Sequence, residues 1–279
     1  MSIQELFAGK SFQERMQYAD GFTPTPDSSP IKNSPKDVCF EGDFIIKKFI
    51  PCHDGFYVFD YANTIYDQNG DKLDFKGSEF KKIIASYGNK NIFLLKHNQS
   101  EIYDQNGKKI YYGKKVYNIA CSPDDKLFIQ QWNDTILNYH DDISYYKSLI
   151  KKFRFSPQGK LFIQSQSNVI YDQEDRVLYS GEAINDFKIS SSNKLFIWED
   201  KKGIINNQGK VLYDTKVDEI RGFDIAPDDS FFILQDFNTI VNENHKIVYR
   251  SPQTIIDFQI TPQKEMIIQQ SKRLLKIKP

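Results

Sequence analysis

The chain contains 279 residues, of which 39% are apolar and 14% aromatic, and its 37 Lys+Arg balance 37 Asp+Glu, so the formal net charge is zero. Zero net charge argues against a general nucleic-acid-binding protein, which carries a basic excess, and no stretch reaches the roughly 20 apolar residues of a membrane span. The mixed N-terminus is not a secretory signal, and Cys39, Cys52 and Cys121 are too few for a disulfide framework. These features predict a soluble, intracellular protein of the cytoplasm.

The first 37 residues are predicted to form a helical arm that ends in a linker. Ser2–Glu5 and Ser11–Glu14 both have the spacing of a helix capping box, and Gly9 and Gly21 stand where helix ends are expected. Helices this short are marginal alone and need a packing surface. The arm therefore docks either on the rest of the chain, which we favour, or on a partner.

The segment from Phe22 to Pro35 has the composition of a linker. Proline favours an extended backbone, and the segment holds four Ser/Thr-Pro dipeptides, at residues 23, 25, 29 and 34. We interpret them as loop composition, with phosphorylation by a proline-directed kinase as the alternative.

A repeat fills the chain from residue 38 onward. Tyr66–Gly70 returns as Tyr103–Gly107, and Lys126–Gln130 returns as Lys160–Gln164. Aligning the copies on one central residue gives seven positions spaced by 34 to 36 residues, namely Tyr57, Phe93, Phe128, Phe162, Phe196, Phe232 and Ile267. A near-constant period of this size is the signature of a repeat architecture.

Each copy is predicted to contain four short antiparallel strands, as in residues 150–181, where alternating apolar runs are separated by turn residues. Asn-Gly pairs at 69–70 and 106–107 predict tight hairpins between the third and fourth strands, with positive φ at both central residues. Four strands repeated seven times predict an all-β fold, a seven-bladed β-propeller.

The last copy lacks a fourth strand, because the chain ends at Pro279 soon after the third. Residues 38–42 match the fourth strand at residues 177–181. We therefore expect residues 38–42 to complete the last blade and close the ring, which removes the exposed edge of an open array. This gives two units, an arm at 1–37 and a propeller at 38–279.

The turn motifs at Ser122–Lys126, Ser156–Lys160 and Ala226–Asp229 resemble the S-P-D-G-K turn between the first two strands of WD40 and TolB-type propeller blades. The similarity covers residues 38–279. It implies the propeller fold and leaves the function open. The Gly-His and Trp-Asp dipeptides of true WD40 repeats are missing at regular positions, so the chain is WD40-like.

The connection lengths assign all length variation to one face of the predicted ring. The spacing from the first strand to the second is eight residues in every copy, and the spacing from the third strand to the fourth is seven in every complete copy. The second-to-third spacing varies from eight to ten, and the step from the third strand to the next blade is mostly 17 but reaches 19. These two variable connections emerge on the same face of a propeller, and irregular loops are where binding residues concentrate.

A protein-binding patch is predicted on this face. Two neighbouring blades carry extra loop residues, and two aromatic residues in equivalent connections, interpreted as belonging to adjacent blades, flank them. The patch consists of Tyr61, Glu79, Phe80, His97, Asn98 and Trp132. The alternative is that these are ordinary loop residues, with Phe80 in the inner strand of the next blade.

No catalytic, cofactor or metal site is predicted. The chain has no phosphate-binding loop, zinc-protease or nucleophile-elbow motif, and no C-x-x-C pair. The repeat places His53, His140 and His245 on one face toward different blades and His97 on the other face, so they do not converge. Acid pairs at 124–125, 141–142 and 228–229 fall in tight turns, where Asp bonds its own backbone.

These features favour a non-enzymatic scaffold or adaptor, a monomeric ring that binds another protein and no nucleic acid. One alternative is a hydrolase or lyase with a small-molecule site at the mouth of the central channel. Another is a bacterial effector that binds a host protein, since the Lys-, Asn-, Ile- and Phe-rich composition is typical of an AT-rich genome. An enzyme should converge titratable groups with perturbed pKa values at the channel mouth, whereas a binding module should expose an aromatic patch.

Overall fold

The computed structural model describes residues 37–279 apart from 53–54, 63, 74–79, 86–90, 97, 105, 133, 139–142, 148 and 215–218. The helices and linker predicted for the arm lie outside the described residues. Within them the chain forms 28 strands and no helix, in seven four-stranded antiparallel sheets.

Blades 1 to 3 follow one another along the chain, each with its four strands in sequence order. The first strand of the chain is β1 (Asp37–Glu41). Blade 1 follows it and consists of β2 (Ile46–Cys52), β3 (Gly55–Asp60), β4 (Ile65–Tyr66) and β5 (Lys72–Leu73). Blade 2 consists of β6 (Phe80–Ala85), β7 (Ile92–Lys96), β8 (Glu101–Asp104) and β9 (Lys109–Tyr112). Blade 3 consists of β10 (Val116–Cys121), β11 (Leu127–Gln131), β12 (Thr135–Asn138) and β13 (Ile143–Tyr146).

Blades 4 to 6 repeat this order, and blade 7 takes its outer strand from the other end of the chain. Blade 4 consists of β14 (Ile150–Phe155), β15 (Leu161–Ser165), β16 (Val169–Asp172) and β17 (Val177–Ser180). Blade 5 consists of β18 (Ile184–Ile189), β19 (Leu195–Glu199), β20 (Gly203–Asn206) and β21 (Val211–Tyr213). Blade 6 consists of β22 (Ile220–Ile225), β23 (Phe231–Gln235), β24 (Thr239–Asn242) and β25 (Ile247–Arg250). Blade 7 consists of β26 (Asp257–Ile260), β27 (Met266–Gln269), β28 (Arg273–Ile277) and β1 (Asp37–Glu41).

The predicted seven-bladed β-propeller is confirmed. The first strands of successive blades contact one another around the ring, and β2 of blade 1 contacts β27 of blade 7. Between blades 4 and 5 the contact includes an ion pair from Lys152 to Asp186. The first strands are therefore innermost, around a central channel, and the fourth strands form the rim. The core lies between blades, where apolar side chains of neighbouring sheets pack together.

The N-terminal strand closes the ring as predicted, with bounds Asp37–Glu41 instead of 38–42. It pairs antiparallel with β28, so that Phe40 lies opposite Leu274 and Glu41 opposite Arg273. The Phe40 side chain is buried and meets the ring of Phe56 in blade 1 edge-on, with centroids 6.2 Å apart. One strand thus completes blade 7 and packs against blade 1.

A bulge in the first strand helps to lock neighbouring blades together. In six first strands the pairing register shifts just after the first residue, as between Ile184 and Asp186 in β18. In blades 1, 4 and 5 the carbonyl at this point accepts a hydrogen bond from a glutamine of the preceding blade. Gln164 Nε2 bonds the Ile184 oxygen at 3.0 Å, and Gln269 Nε2 bonds the Ile46 oxygen at 2.9 Å across the ring closure. The glutamine of the Leu-Phe-Ile-Gln repeat therefore serves the contact between blades.

The prediction that both residues of the Asn-Gly turns have positive φ is wrong. Gly70 has a φ of 85° and Gly107 a φ of 73°, but the asparagine before each is not in the left-handed region. The aspartate of the repeat holds the turn instead, because Asp67 Oδ1 accepts hydrogen bonds from the backbone N–H groups of Asn69 and Asp71 at 2.8 and 2.9 Å. The Asp therefore shapes a longer turn, in which the glycine alone needs positive φ.

Replacing Phe40 with alanine should destabilise the whole ring. Phe40 is 7% exposed and contacts blade 1, so its loss removes buried apolar area and leaves a cavity, which costs about 3–5 kcal/mol. Val38 lies in the same strand but is 50% exposed, so V38A should change the stability by less than about 1 kcal/mol. Urea unfolding of both variants measures the difference, and equal stabilities for F40A and V38A would contradict closure through this strand.

Candidate functional site

The two variable connections lie together on one side of the ring, which we call the loop face; the opposite side is the turn face. In blade 4 the Asn168 loop bonds the connection to blade 5, with Gly181 N donating to Asn168 O at 3.0 Å and Asn168 Nδ2 donating to Glu182 O at 2.7 Å. Asp200 of blade 5 donates its N–H to Ala183 of the same connection at 2.9 Å. The loops are thus held in place by their neighbours.

The six residues of the predicted patch have different positions. Tyr61 and Trp132 are 41% and 57% exposed on the loop face, and burial raises the pKa of the Tyr61 hydroxyl. They belong to blades 1 and 3, so the expectation that their blades are adjacent is wrong. Asn98 is also exposed, and its Oδ1 accepts the Ser100 N–H at 3.0 Å.

Of the other three patch residues, the structure describes Phe80 alone. Phe80 begins the innermost strand β6 and is 8% exposed in the core beside Phe59 and Ile83. It is therefore a core residue, as the alternative interpretation expects. Glu79 and His97 lie outside the described residues.

Trp132 has a neighbour that the sequence did not single out. Leu149, in the connection from blade 3 to blade 4, is 51% exposed. The amide of Gln130 joins the two loops, since its Nε2 donates to Trp132 O at 3.4 Å and to Ile150 O at 3.0 Å. Lys147 N also donates to Asp134 O at 2.8 Å between the same loops. Trp132 and Leu149 thus stand as an exposed apolar pair on two loops of the loop face that are bonded to each other.

Both residues of this pair have a backbone conformation that their side chains do not favour. The φ of Trp132 is 51° and that of Leu149 is 61°. Bulky L-residues in the left-handed region cost on the order of 1 kcal/mol, and Asn or Gly would fit there better. Neither burial nor backbone geometry therefore explains why these positions hold Trp and Leu, and exposed apolar groups of this kind mark interaction surfaces.

Blade 6 repeats the feature. Phe237 is 44% exposed with a φ of 61°, and the Arg221 guanidinium lies 4.0 Å from its ring centroid. Its loop is tied to the next blade by Ile255 N, which bonds Phe237 O at 2.5 Å. The sequence could have indicated Phe237, because it lies in the connection between the second and third strands of its blade, as Tyr61 and Trp132 do in theirs.

The turn face is polar in the described residues, where its turns carry no large exposed apolar side chain. The acid pairs at 124–125 and 228–229 lie in turns, as predicted, whereas the pair at 141–142 lies outside the described residues. The Lys264 ammonium, 2.8 Å from Asp228, lowers the pKa of that carboxyl to about 2. His245 also lies in a turn, with its ring stacked on Tyr213 at a centroid distance of 4.2 Å.

A groove of about 320 Å³ lies between blades 4 and 5 at the turn face. Its Asp172 carboxylate accepts hydrogen bonds from the backbone N–H groups of Glu174 and Arg176 and from the Arg176 guanidinium at 2.7 Å. Asp172 therefore maintains the turn and pairs with Arg176, and the groove presents no converging reactive groups.

Charged side chains converge in the central channel. The residue after each first-strand bulge, and the equivalent residue of β26, occupies the same register. We call this the channel position, and it is held by Lys48, Lys82, Asn118, Lys152, Asp186, Gly222 and Asp257. Two residues further along, on the same side of the strand, come Arg154, Lys188 and Asp224.

Two of the three channel carboxylates, Asp186 and Asp224, are paired with cations of the neighbouring blade, whereas burial raises the pKa of the third, Asp257. Asp186 accepts Lys152 Nζ at 2.6 Å and Arg154 Nη2 at 3.0 and 3.1 Å. Burial acts to raise the pKa of Asp186, but the charges of Arg154 and Lys152 outweigh it and lower the pKa. Asp224 accepts Lys188 Nζ at 2.6 Å. Blades 4, 5 and 6 are therefore linked by ion pairs along the channel wall.

Lys82 differs from these ion-paired cations, because the atoms that its ammonium group bonds are neutral oxygens. Its Nζ donates to Asn118 Oδ1 and, at 2.8 Å, to Ile119 O. Burial and the charges of Lys48, Arg154 and Lys152 lower its pKa to about 7. Sequence reasoning missed these groups, although Lys-Lys doublets at 47–48, 81–82 and 151–152 recur at one repeat position.

The described residues lack two kinds of feature. They contain no group of three or more His, Cys, Asp or Glu side chains placed to hold a metal ion. They also contain no helix with the length and apolar character that a membrane crossing requires.

Fold and channel define the protein as a seven-bladed β-propeller with a fold-level resemblance to WD40-like propellers. No protein-family model matches the chain, and no curated protein sequence matches it. Solved structures do match. The β-propeller domain of Cps50 (Swd1) from Myceliophteria thermophila superimposes with a TM-score of 0.62 at 11% identity, over 88% of this chain and 100% of that chain. Streptogramin B lyase has a TM-score of 0.65 at 15% identity, over 89% of this chain and 99% of that one. These similarities establish the fold.

The pKa of Lys82 leads to a prediction about stability. The native pKa of about 7 lies below the ordinary lysine value of 10.5, so between these pH values the unfolded chain binds more protons and stability rises with pH. K82M removes this contribution. The stability of K82M relative to the wild type should therefore be highest at pH 6 and should fall as the pH rises from about 7 toward 10. Urea unfolding across this range measures the slope.

The control for this prediction is K81M, at the exposed neighbouring position. It should keep the wild-type slope. The groups facing Lys82 are Lys48, Lys152 and Arg154, which repel it, and the Cys121 thiol, whose pKa burial raises to about 12 so that it stays neutral in this range. A K82M variant with the same slope as the wild type would contradict the lowered pKa.

Proposed function

We propose that the protein is a non-enzymatic scaffold or adaptor that binds another protein through its loop face, with the contact centred on Trp132 and Leu149. The observation that carries this proposal is their combination of exposure and left-handed φ. Folding alone favours neither the exposure nor the left-handed φ of these residues, so we attribute both to contact with another protein. The partner should present an apolar side chain to this pair.

The rigidity of the loop face supports binding. The two loops are joined by the Gln130 amide and by the bond from Lys147 to Asp134. A preorganised surface loses little conformational entropy when it docks, and Trp is the residue most enriched at the energetic centres of interfaces. Phe237 and Tyr61 extend the apolar surface to other blades of the same face.

The structural neighbours do not choose between binding and catalysis. One is a propeller domain of Cps50 (Swd1) and another is named as a lyase, and both are similar to this chain at the level of the fold alone. A propeller hosts many functions, so the proposal depends on the loop face.

Changing Trp132 and Leu149 to asparagine tests the proposal, because asparagine tolerates the left-handed conformation and removes the apolar surface. We expect W132N and L149N to reduce the amount of captured partner by about tenfold or more in quantitative pull-downs, as for the central residues of an interface. Thermal melting should show both variants as stable as the wild type or more so, since the backbone strain is relieved.

Tyr112 provides the matched control, because it is 74% exposed but lies on the outer strand β9. Y112N should leave the partner set unchanged. Retention of all partners by W132N and L149N would reject the loop face as the binding surface. Loss of all partners only when residues 1–36 are deleted would move the binding surface to the N-terminal arm.

A further inference from the structure

The central channel carries an excess of positive charge. At the channel position and two residues beyond it, the first strands contribute five cations and three carboxylates, namely Lys48, Lys82, Lys152, Arg154 and Lys188 against Asp186, Asp224 and Asp257. The chain as a whole has no net charge. The channel excess is therefore a local feature of the fold, which collects like charges from distant parts of the sequence.

The unneutralised charge belongs to blades 1 and 2. Lys152, Arg154 and Lys188 all pair with carboxylates. Among the described residues, Lys82 bonds an amide oxygen and a carbonyl oxygen, and Lys48 forms no ion pair, although the charge of Asp257 acts to raise its pKa. Two lysines at the same position of neighbouring blades thus face the channel with no carboxylate bound to either.

These lysines face one common space. The charge of Arg154 in blade 4 acts on Lys48 in blade 1 and on Lys82 in blade 2, although blades 1 and 4 are not neighbours. Such an interaction reaches across the channel. The Nε atom of Arg154 is also buried and has no hydrogen-bond partner in the described structure. The cations therefore surround the channel on both sides.

Blade 6 leaves room for a ligand. Its channel position is Gly222, where a Cβ would meet no atom within 4 Å. Gly222 has no positive φ, so neither backbone conformation nor close packing requires glycine there. In a ring of seven, blade 6 lies across from blades 2 and 3. The open space is therefore on the side of the channel opposite Lys82.

We propose that the central channel binds a small phosphate-bearing molecule, with the phosphate group held by Lys48 and Lys82 and facing Arg154. This site is separate from the loop-face surface and does not depend on it. When Lys82 is protonated, the excess of two positive charges matches a phosphate dianion, whereas a carboxylate would neutralise one charge only. Charge-assisted hydrogen bonds to an oxyanion are the strong ones in proteins.

Binding of the anion should also take up protons. Like charges and burial favour the neutral form of Lys82, and a bound phosphate favours its charged form. The full chain should therefore take up a fraction of a proton per phosphate at pH 9, where free phosphate is already the dianion and releases no proton, and calorimetry in buffers of different ionisation enthalpy measures this uptake. Lys48, Lys152, Arg154 and Cys121 are the other groups that act on Lys82.

The experiment is titration of the full chain with inorganic phosphate, and separately with acetate, at constant ionic strength set by chloride. We expect phosphate to bind with one-to-one stoichiometry and acetate to bind at least about tenfold more weakly. K48Q and K82Q should each weaken phosphate binding by about tenfold or more. The matched controls K47Q and K81Q change the same charge at the neighbouring exposed positions and should stay within about twofold of the wild type.

A variant that changes no charge distinguishes phosphate binding in the channel from phosphate binding to surface lysines. G222Q fills the open space and should abolish phosphate binding, while a thermal melt shows that the ring remains folded. The proposal is overturned if phosphate does not bind, if acetate binds as tightly as phosphate, if K47Q and K81Q weaken binding as much as K48Q and K82Q, or if folded G222Q binds like the wild type.

Discussion

The pairing of β1 with β28 is the contact on which the rest of the structure depends. It joins residues more than 230 positions apart, as the hydrogen bond from Cys39 Sγ to Leu274 O shows with a separation of 235. Without it, blade 7 would lack its rim strand and blade 1 would lose the neighbour that covers its core. Closure also sets the channel, because only a closed ring brings Lys48 of blade 1 opposite Arg154 of blade 4. The loop face and the channel are both consequences of one strand pairing.

The first-strand bulge turns a simple sequence pattern into two different surfaces. In β2, β6 and β14 a Lys-Lys doublet follows the first residue, and the register shift falls at its first lysine. Lys47, Lys81 and Lys151 are exposed, while the second lysine of each doublet occupies the channel position. In β2 and β14 the same shift supplies the carbonyl that accepts a glutamine of the preceding blade. One irregularity therefore connects blades and directs charge to the axis.

Much of the architecture could be predicted from the sequence, because it depends on periodic features. The fixed period located all seven blades, and the absent fourth strand of the last copy located β1 to within one residue. The turn between the third and fourth strands was predicted incorrectly, since an Asn-Gly pair does not reveal that Asp67 reorganises the turn around itself. The binding surface was harder to predict. Trp132 and Tyr61 were found from loop length. Leu149 comes near Trp132 only because hydrogen bonds join two connections that are separated along the chain.

The channel was missed for a physical reason that applies to propellers in general. Each first strand contributes at most two charges to the axis, so no local stretch of sequence has an unusual composition. The charge appears only when residues about one repeat apart are aligned by register and placed around a ring. Zero net charge over the whole chain conceals this arrangement, because the 37 acidic residues offset the 37 basic ones when they are counted over the whole sequence. In a closed repeat protein, the net charge at one register position is thus a better guide to ligand binding than the net charge of the chain.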